Sequence, residues 1–381
     1  MLPSPDVLAE RLQNNDWSDT TDSLMAAVRD RQPGWLVDLI VRLDGEPGWA
    51  PPRLQRLAIE ALAVIPGSVP YLAACLPPSY FVPRGRHADE GERSLAARLG
   101  ASQPPGALTA ALPLSTSPHW TAILAMWIQE SVARGADLRH DAAVSAFWSA
   151  LDHPLASLPL HPLPIEVHAQ QFAGRYTATS AGSWGGGPLW NLNQVELPGT
   201  PAPPKVTRRS LRVEQQEALA AAYASTVAHN GKVEVAVFSL GAPLRALSRP
   251  VVASLRLSCF SNRSAREDRP FRPVTAPPGL KTQAMRPDEA YALLLSAAAL
   301  GGCTNLAWSA AWGRRDAWRS LAALSGASGS FAEIAATAER CQWATFRSPS
   351  DWFYGVSIDE VAVCLRPDGR SIAVFAGTDT D

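Results

Sequence analysis

The chain has no excess of charge of either sign. Its 34 lysines and arginines stand against 35 aspartates and glutamates in 381 residues, and the formal net charge is −1. A balanced charge produces no overall field that would attract nucleic acid or an anionic membrane. Only a local basic patch could bind either of them, so we do not expect a membrane or a nucleic acid as the partner.

Long apolar runs and closely spaced cysteines are also missing. No stretch of 18 or more apolar residues occurs, which argues against a membrane-spanning helix. The first residues, MLPSPDVLAERL, lack the basic and apolar regions of a secretory signal. The five cysteines are odd in number and contain no C-x-x-C pair, a pattern typical of reduced thiols. We therefore expect a cytoplasmic protein without a metal site.

No complete catalytic signature is present. The AGSWG sequence around Ser183 resembles the G-x-S-x-G nucleophile elbow, but it continues into the glycine-rich loop 182–188, which cannot begin the helix that an elbow requires. The phosphate-binding pattern G-x-x-x-x-G-K-[ST] does not occur. His153, His161 and His168 are seven or eight residues apart, wider than the usual spacing of metal ligands. The sequence indicates no cofactor.

Lysine is scarce, with only Lys205, Lys232 and Lys281 in the chain. Alanine, proline and tryptophan are abundant, and the whole composition is typical of a GC-rich genome. Arginine is then the default cation and does not by itself indicate phosphate recognition. The arginines of the 261–286 segment, which we predict to be an exposed loop, are therefore weak support for nucleic-acid binding.

Apolar residues at helical spacing dominate the first 150 residues. Leu54, Leu57, Ala61, Leu62 and Ile65 are spaced to lie on one helix face. Further predicted helices cover 5–13, 20–30, 35–43, 68–76, 90–99, 120–132 and 141–151. No period repeats three times, which argues against a solenoid. We predict an irregular all-α domain over 1–152.

The segment 153–165 contains four prolines and is predicted to be an extended linker, because proline restricts its own φ and that of the preceding residue. An α+β domain is predicted for 166–381. Its expected strands are one or two over 165–180, then 232–240 and 251–259, and its expected helices are 213–228, 288–300, 303–312, 315–325 and 331–341. Asp368 and Gly369 predict a turn between two final strands. The predicted fold class is helix-rich α+β ending in a β-hairpin.

The segment 301–326 combines a glycine pair, a cysteine, three tryptophans and three arginines. A pocket wall that stacks a planar or anionic ligand would use such residues. Cys303, at an expected helix start, has the position of an activated thiol but no histidine near it in sequence. The candidate ligand-binding residues are Cys303, Trp308, Trp312, Arg315, Asp316 and Arg319. We favour the alternative of a packed helical hairpin, because Gly313 is expected to break the segment into two helices.

Three blocks of sequence resemble a known group of proteins. They are HNGKVEVAVFSL at 229–240, AWGRRDAWRSLAAL at 311–324 and SIDEVAVCLRPDGRSIAVFAGTDTD at 357–381. Together they resemble an uncharacterised family of actinobacterial proteins known only as a domain of unknown function, chiefly over the C-terminal half. The resemblance implies no activity, cofactor or catalytic residue.

Our first hypothesis is a cytoplasmic, non-enzymatic interaction or regulatory protein whose partner is another protein, because aromatic residues are abundant and no catalytic set is complete. An enzyme or a small-molecule-binding protein with a pocket near Cys303, Trp308, Trp312 and Arg315 is the alternative. Nucleic-acid binding is the third hypothesis.

Overall fold

A computed structural model describes most of the chain. The described residues are 2–13, 20–46, 48, 50–82, 89–167, 195–224, 231–261, 274–300, 309–353 and 358–379. The chain separates into two compact units, Met1–His161 and Pro162–Asp381. Helices and one six-stranded antiparallel sheet confirm the helix-rich α+β class.

Helices are the regular elements of the first unit's described residues, and turns connect them. Its helices are α1 Pro5–Gln13, α2 Thr20–Arg29, α3 Pro33–Leu43, α4 Ala50–Ala63, α5 Val69–Cys75, α6 Glu90–Ser102, α7 Pro105–Ala111, α8 Pro118–Ala133 and α9 Ala142–Ala150. All predicted helices are present, with ends shifted by a few residues, whereas α7 and the 3-10 turns Pro78–Phe81 and Leu112–Thr116 were not expected. The predicted face of α4 is partly wrong, because Leu57 is 40% exposed. Leu54, Leu62 and Ile65 are buried as predicted, and Ala58 and Ile59 are buried beside them.

The second unit contains the sheet. In chain order its elements are β1 Val206–Arg208, α10 Val213–Ala220, β2 Lys232–Leu240, α11 Arg249–Ser254, β3 Lys281–Met285, α12 Pro287–Leu300, α13 Ala310–Ser325, α14 Phe331–Arg340, β4 Gln342–Arg347, β5 Ile358–Leu365 and β6 Ser371–Asp379. The strand order is β1-β2-β6-β5-β4-β3, and every neighbouring pair is antiparallel. Short 3-10 turns lie at Pro164–Glu166, Ala221–Tyr223 and Ser258–Phe260.

The predicted C-terminal hairpin is confirmed as β5 and β6, in which Leu365 pairs with Ile372. Gly369 has a φ of 63°, which glycine adopts without a steric penalty. The Asp368 carboxylate accepts the backbone N–H groups of Arg370 and Ser371. A local turn signal was therefore sufficient to locate these two strands.

Two strand and loop predictions were wrong. Residues 251–259 do not form a strand, because Ser248 caps the helix α11 at its N-terminus and Pro250 occupies its first turn. The segment 261–286 is not entirely a loop, since it contains β3, which pairs with β4. Four predictions fall wholly or partly outside the described residues. They are most of the strands predicted over 165–180, the loop 182–188 with Ser183, the end of the helix 213–228, and residues 262–273 of the predicted loop.

The two helices predicted on either side of Gly313 are a single helix, α13. A Cβ atom at residue 313 would lie 2.8 Å from the Cα and Cβ atoms of Ala299 in α12. The glycine therefore serves the close approach of the two helices and does not end α13. This packing requirement outweighs the low helix propensity of glycine, which costs about 1 kcal/mol relative to alanine.

The two faces of the sheet are covered differently. On one face, Phe238 and Val374 pack in a hydrophobic cluster with Val251, Phe260 and Trp352. Helices α12 and α13 contact the other face, where Trp343 of β4 also donates to the Ala338 carbonyl of α14. At one outer edge, Arg208 of β1 donates to the Val235 carbonyl of β2 at 3.5 Å and to Glu234 at 2.9 Å. Val195 and Leu197 hydrogen-bond to β3 at the opposite edge.

Candidate functional site

Four of the six predicted site residues lie together on α13, and we call them the α13 strip: Trp312, Arg315, Asp316 and Arg319. The helical periodicity places positions 312, 315, 316 and 319 on one face of α13. Cys303 and Trp308 lie outside the described residues, so the strip is the part of the predicted site that the structure describes.

The guanidinium group of Arg315 stacks on the indole ring of Trp312 in the α13 strip. The guanidinium carbon of Arg315 lies 4.2 Å from the ring centroid of Trp312. Asp316 contacts Arg315 Nη2 at 2.8 Å and Arg319 Nη1 at 3.6 Å. The Arg319 side chain is 51% exposed, whereas Trp312 is half-buried. One carboxylate is thus shared by two guanidinium groups, and the strip keeps a net positive charge beside an aromatic surface.

The opposite face of α13 is fixed in the interior by Glu166. Its Oε1 accepts from Tyr291 Oη at 2.8 Å, Arg314 Nε at 2.7 Å and Trp318 Nε1 at 2.9 Å. Its Oε2 accepts from Arg314 Nη2 at 2.9 Å and from the Leu163 N–H at 2.6 Å. Glu166 and Arg314 are 4% and 1% exposed. The carboxylate therefore has five donors and a paired charge.

Burial alone would raise the pKa of Glu166, but the charge of Arg314 and the hydrogen bonds outweigh it and hold the pKa below its ordinary value. A carboxylate with this many donors is a structural anchor and a poor proton acceptor. The sequence analysis missed it because 148 residues separate Glu166 from Arg314. No local pattern signals a contact of that separation.

Glu360 on β5 is a second buried carboxyl group, 8% exposed. Burial raises its pKa to about 8, a hydrogen bond with Ser296 opposes this rise, and the nearby charge of Asp359 adds to it. Its Oε2 atom accepts no hydrogen bond from the described residues. Glu360 is consequently protonated at neutral pH, and it can donate a hydrogen bond or release a proton to a stronger base.

A polar cluster in the first unit was also missed. His119 Nδ1 lies 2.7 Å from Glu92 Oε1, and the imidazole ring stacks on Phe81 at a centroid distance of 3.9 Å. Arg56 and Tyr80 help to line a nearby cavity of about 20 Å³, which is enough for a single water molecule. The cluster orients a half-exposed histidine beside this small cavity. Positions 81, 92 and 119 are too far apart in sequence to form a motif.

In the described part of the chain, no three histidine, cysteine, aspartate or glutamate side chains are grouped closely enough to hold an ion. His153 has a local role, because its Nδ1 accepts the Leu155 N–H at 3.2 Å. Among the described helices, none has the length and apolar character needed to cross a membrane.

Comparison with known proteins identifies a family but no activity. A family model described as "Family of unknown function (DUF6183)" matches residues 19–381, so the chain belongs to that family. The matched region is wider than the C-terminal half that carried the resemblance noted from the sequence. No curated protein and no solved structure matches the chain.

Proposed function

We propose that this member of the DUF6183 family is a non-enzymatic interaction or regulatory protein that binds another protein through the α13 strip. The observation that carries the proposal is the stacked Trp312 and Arg315 pair on a helix whose other face is held by Glu166. Tryptophan and arginine are enriched among the residues that dominate binding energy at protein interfaces. A rigid backbone lowers the entropic cost of presenting them.

The charge of the strip defines the kind of partner. Asp316 neutralises only one of the two guanidinium groups, and Arg319 is the more exposed of them. The complementary surface is a protein segment with an aspartate or glutamate next to an apolar or aromatic side chain. The carboxylate would pair with Arg319, and the apolar group would cover Trp312.

The location we propose is the cytoplasm of an actinobacterial cell. Cys75, Cys259, Cys341 and Cys364 are buried free thiols, which is typical of a reducing compartment. The arginine-rich composition supports a GC-rich genome.

Site-specific photocrosslinking in the native cell tests the proposal. A benzophenone side chain at position 319 should capture one protein species, and the same group at the exposed position 339 of α14 should not. The Trp312→Ala substitution should remove the adduct, because it deletes the ring that the partner covers. Trp35→Ala is the matched control, since Trp35 belongs to the first unit and donates to Pro3.

The affinity of the captured partner must then depend on the charge of residue 319. Arg319→Glu should weaken its binding about tenfold or more, and added salt should weaken wild-type binding, because both remove attraction to a carboxylate. Equal adducts at positions 319 and 339, or adducts that survive Trp312→Ala, would contradict the proposal. A small molecule or nucleic acid crosslinked at position 319 would favour one of the other two hypotheses.

A further inference from the structure

His119 in the first unit is held by two neighbours from different helical segments. Its Nδ1 lies 2.7 Å from Oε1 of Glu92 on α6. One face of its imidazole ring stacks on Phe81 of the 3-10 turn Pro78–Phe81, with a centroid distance of 3.9 Å and an interplanar angle of 4°. The hydrogen bond and the stacked face together fix the position and the rotation of the ring, so one orientation of the imidazole is held in advance of any reaction.

Glu92 is buried for a single partner. It is 5% exposed, and its Oε2 atom accepts no hydrogen bond from any described residue. Burying a carboxylate is costly unless several donors or a countercharge compensate it, as they do for Glu166. The one side-chain partner of Glu92 among the described residues is His119, whose side chain is 48% exposed. This arrangement contributes little to stability and points to a chemical role for the histidine.

The carboxylate determines which ring nitrogen is reactive. A carboxylate accepts hydrogen bonds and cannot donate them, so the Nδ1 atom that faces Glu92 carries a proton. In the neutral ring the free lone pair is then on Nε2, which has no hydrogen-bond partner among the described residues. A carboxylate that accepts from one imidazole nitrogen also raises the basicity of the other. Nε2 is therefore the nucleophilic atom of His119.

The position of His119 in α8 favours a negatively charged substrate. His119 is the second residue of this 16-residue helix, and the N-cap residue makes no side-chain hydrogen bond to the first turn. The N–H groups of that turn and the helix dipole attract an anion. The acids at the start of α6 are paired, since Asp89 Oδ1 lies 2.8 Å from Arg93 Nε and Glu90 Oε1 lies 3.1 Å from Arg56 Nη1. Their charges therefore repel an incoming anion only weakly.

We propose that His119 is a phosphoryl acceptor, modified on Nε2, and that Glu92 is its positioning residue. The Nε2 lone pair attacks the phosphorus of a donor with a good leaving group, such as an acyl phosphate. An N–P bond forms, and the leaving group departs with the electron pair of its bond to phosphorus. The positive charge that the ring gains is balanced by Glu92, and the phosphoryl group lies at the N-terminus of α8. This site is in the first unit and is independent of the α13 strip.

Phosphoramidate, whose leaving group is ammonia, tests the reactivity of His119 in the purified full-length chain. The internal control is His140, which is exposed and has no carboxylate hydrogen bond among the described residues. His119 should be phosphorylated at least about tenfold faster than His140, because its ring is oriented and its developing charge is balanced. Glu92→Gln should lower the rate at His119 to about that of His140. Glu90→Gln, a matched change on the same helix, should leave the rate unchanged.

Mass spectrometry of the protein isolated from its native cell tests whether the modification occurs there. Trypsin releases residues 99–134 as one peptide, in which His119 is the only histidine. This peptide should carry the added mass of one phosphoryl group, which is kept in base and lost in acid because acid cleaves the N–P bond. A phosphate ester of serine or threonine would survive the acid, and His119→Asn should remove the acid-labile group.

Two results would overturn the proposal. Equal phosphoramidate rates at His119 and His140 would show that Glu92 does not activate the ring. A peptide 99–134 without an acid-labile phosphoryl group, in both growing and starved cells, would show that His119 is not a phosphoryl acceptor even if phosphoramidate reacts with it. If Glu92→Gln fails to fold, the comparison of the two histidines in the wild-type chain decides the first point on its own.

Discussion

Glu166 and Glu360 are both buried in the second unit, yet their protonation states differ. Glu166 has five donors and the charge of Arg314, so it is ionised. Glu360 has Ser296 and an Oε2 atom that no described residue contacts by a hydrogen bond, so its pKa is about 8. Burial is common to the two side chains. The partners around them decide whether the charge persists.

The largest expected effect is on the pH dependence of stability, through Glu360→Gln. The pKa of Glu360 is about 8 in the folded protein, against an ordinary value of 4.5. Between these values the unfolded chain loses its proton and the folded protein keeps it, so wild-type stability falls as pH rises through this window. The difference between the two pKa values corresponds to roughly 5 kcal/mol in the free energy of unfolding.

Urea unfolding at pH 5 and pH 8 measures this effect. The glutamine variant should lose less stability between the two pH values than the wild type, because it has no proton to release. The exposed Glu339 offers a matched Glu339→Gln control, which should keep the wild-type pH dependence. Identical pH dependence for all three proteins would show that Glu360 is not neutral in the folded state.

The Arg314→Met substitution should make Glu166 behave like Glu360. It keeps most of the side-chain volume but leaves a buried carboxylate without its countercharge, and the free energy of unfolding should fall by about 3–5 kcal/mol at pH 7. Wild-type Glu166 has a lowered pKa, so its contribution is present above the unfolded value and is lost as pH falls through the folded one. In the variant, the deficit should shrink at low pH, where Glu166 accepts a proton.

Unfolding curves at two pH values measure the deficit of Arg314→Met. Arg314→Lys should show a smaller loss, because it keeps the charge without the paired hydrogen bonds. A methionine variant that is as stable as wild type, or a deficit that does not depend on pH, would contradict the assignment of Glu166 as an ionised anchor.

A smaller loss is expected from Tyr291→Phe. The substitution removes one of the five hydrogen bonds to Glu166 and keeps the ring that packs on Trp318 at a centroid distance of 5.1 Å. The free energy of unfolding should fall by about 2 kcal/mol, a value typical of a hydrogen bond to a charged group. Denaturant titration at pH 7 measures it. A loss equal to that of Arg314→Met would mean that the hydroxyl contributes far more than one hydrogen bond, and an unchanged stability would mean that its bond to Glu166 contributes nothing.

The smallest effect should come from Arg139→Ala in the first unit. Arg139 Nη2 lies 2.6 Å from Asp137 Oδ2, but the two side chains are 50% and 40% exposed. Solvent screens such a pair, so the unfolding midpoint should not change measurably. A clear shift would show that a short ion-pair distance stabilises the protein even at the surface, where burial does not strengthen the interaction.

Local signals allowed the sequence to predict much of this molecule. Helix periodicity, the turn at Gly369 and the grouping of Trp312 with Arg315 all depend on residues within about two helical turns of each other. Gly313 was misinterpreted because its neighbour Ala299 lies on another helix. Glu166 was invisible for the same reason, since the side chains that donate to it follow more than 100 residues later. The error at 251–259 was avoidable, because Ser248 and Pro250 form a recognisable helix start.

Arg208 at the outer edge of the sheet has a consequence for how the protein behaves in concentrated solution. Among the described residues, β1 pairs with only 238–240 of β2, so the rest of this strand edge has no described strand beside it. The Arg208 guanidinium occupies the Val235 carbonyl on that edge and brings a charge to it. A charged group at a strand edge discourages pairing between copies. At the two edges of the sheet, a side chain on one side and the segment 195–197 on the other occupy backbone groups that a second copy would need for strand pairing.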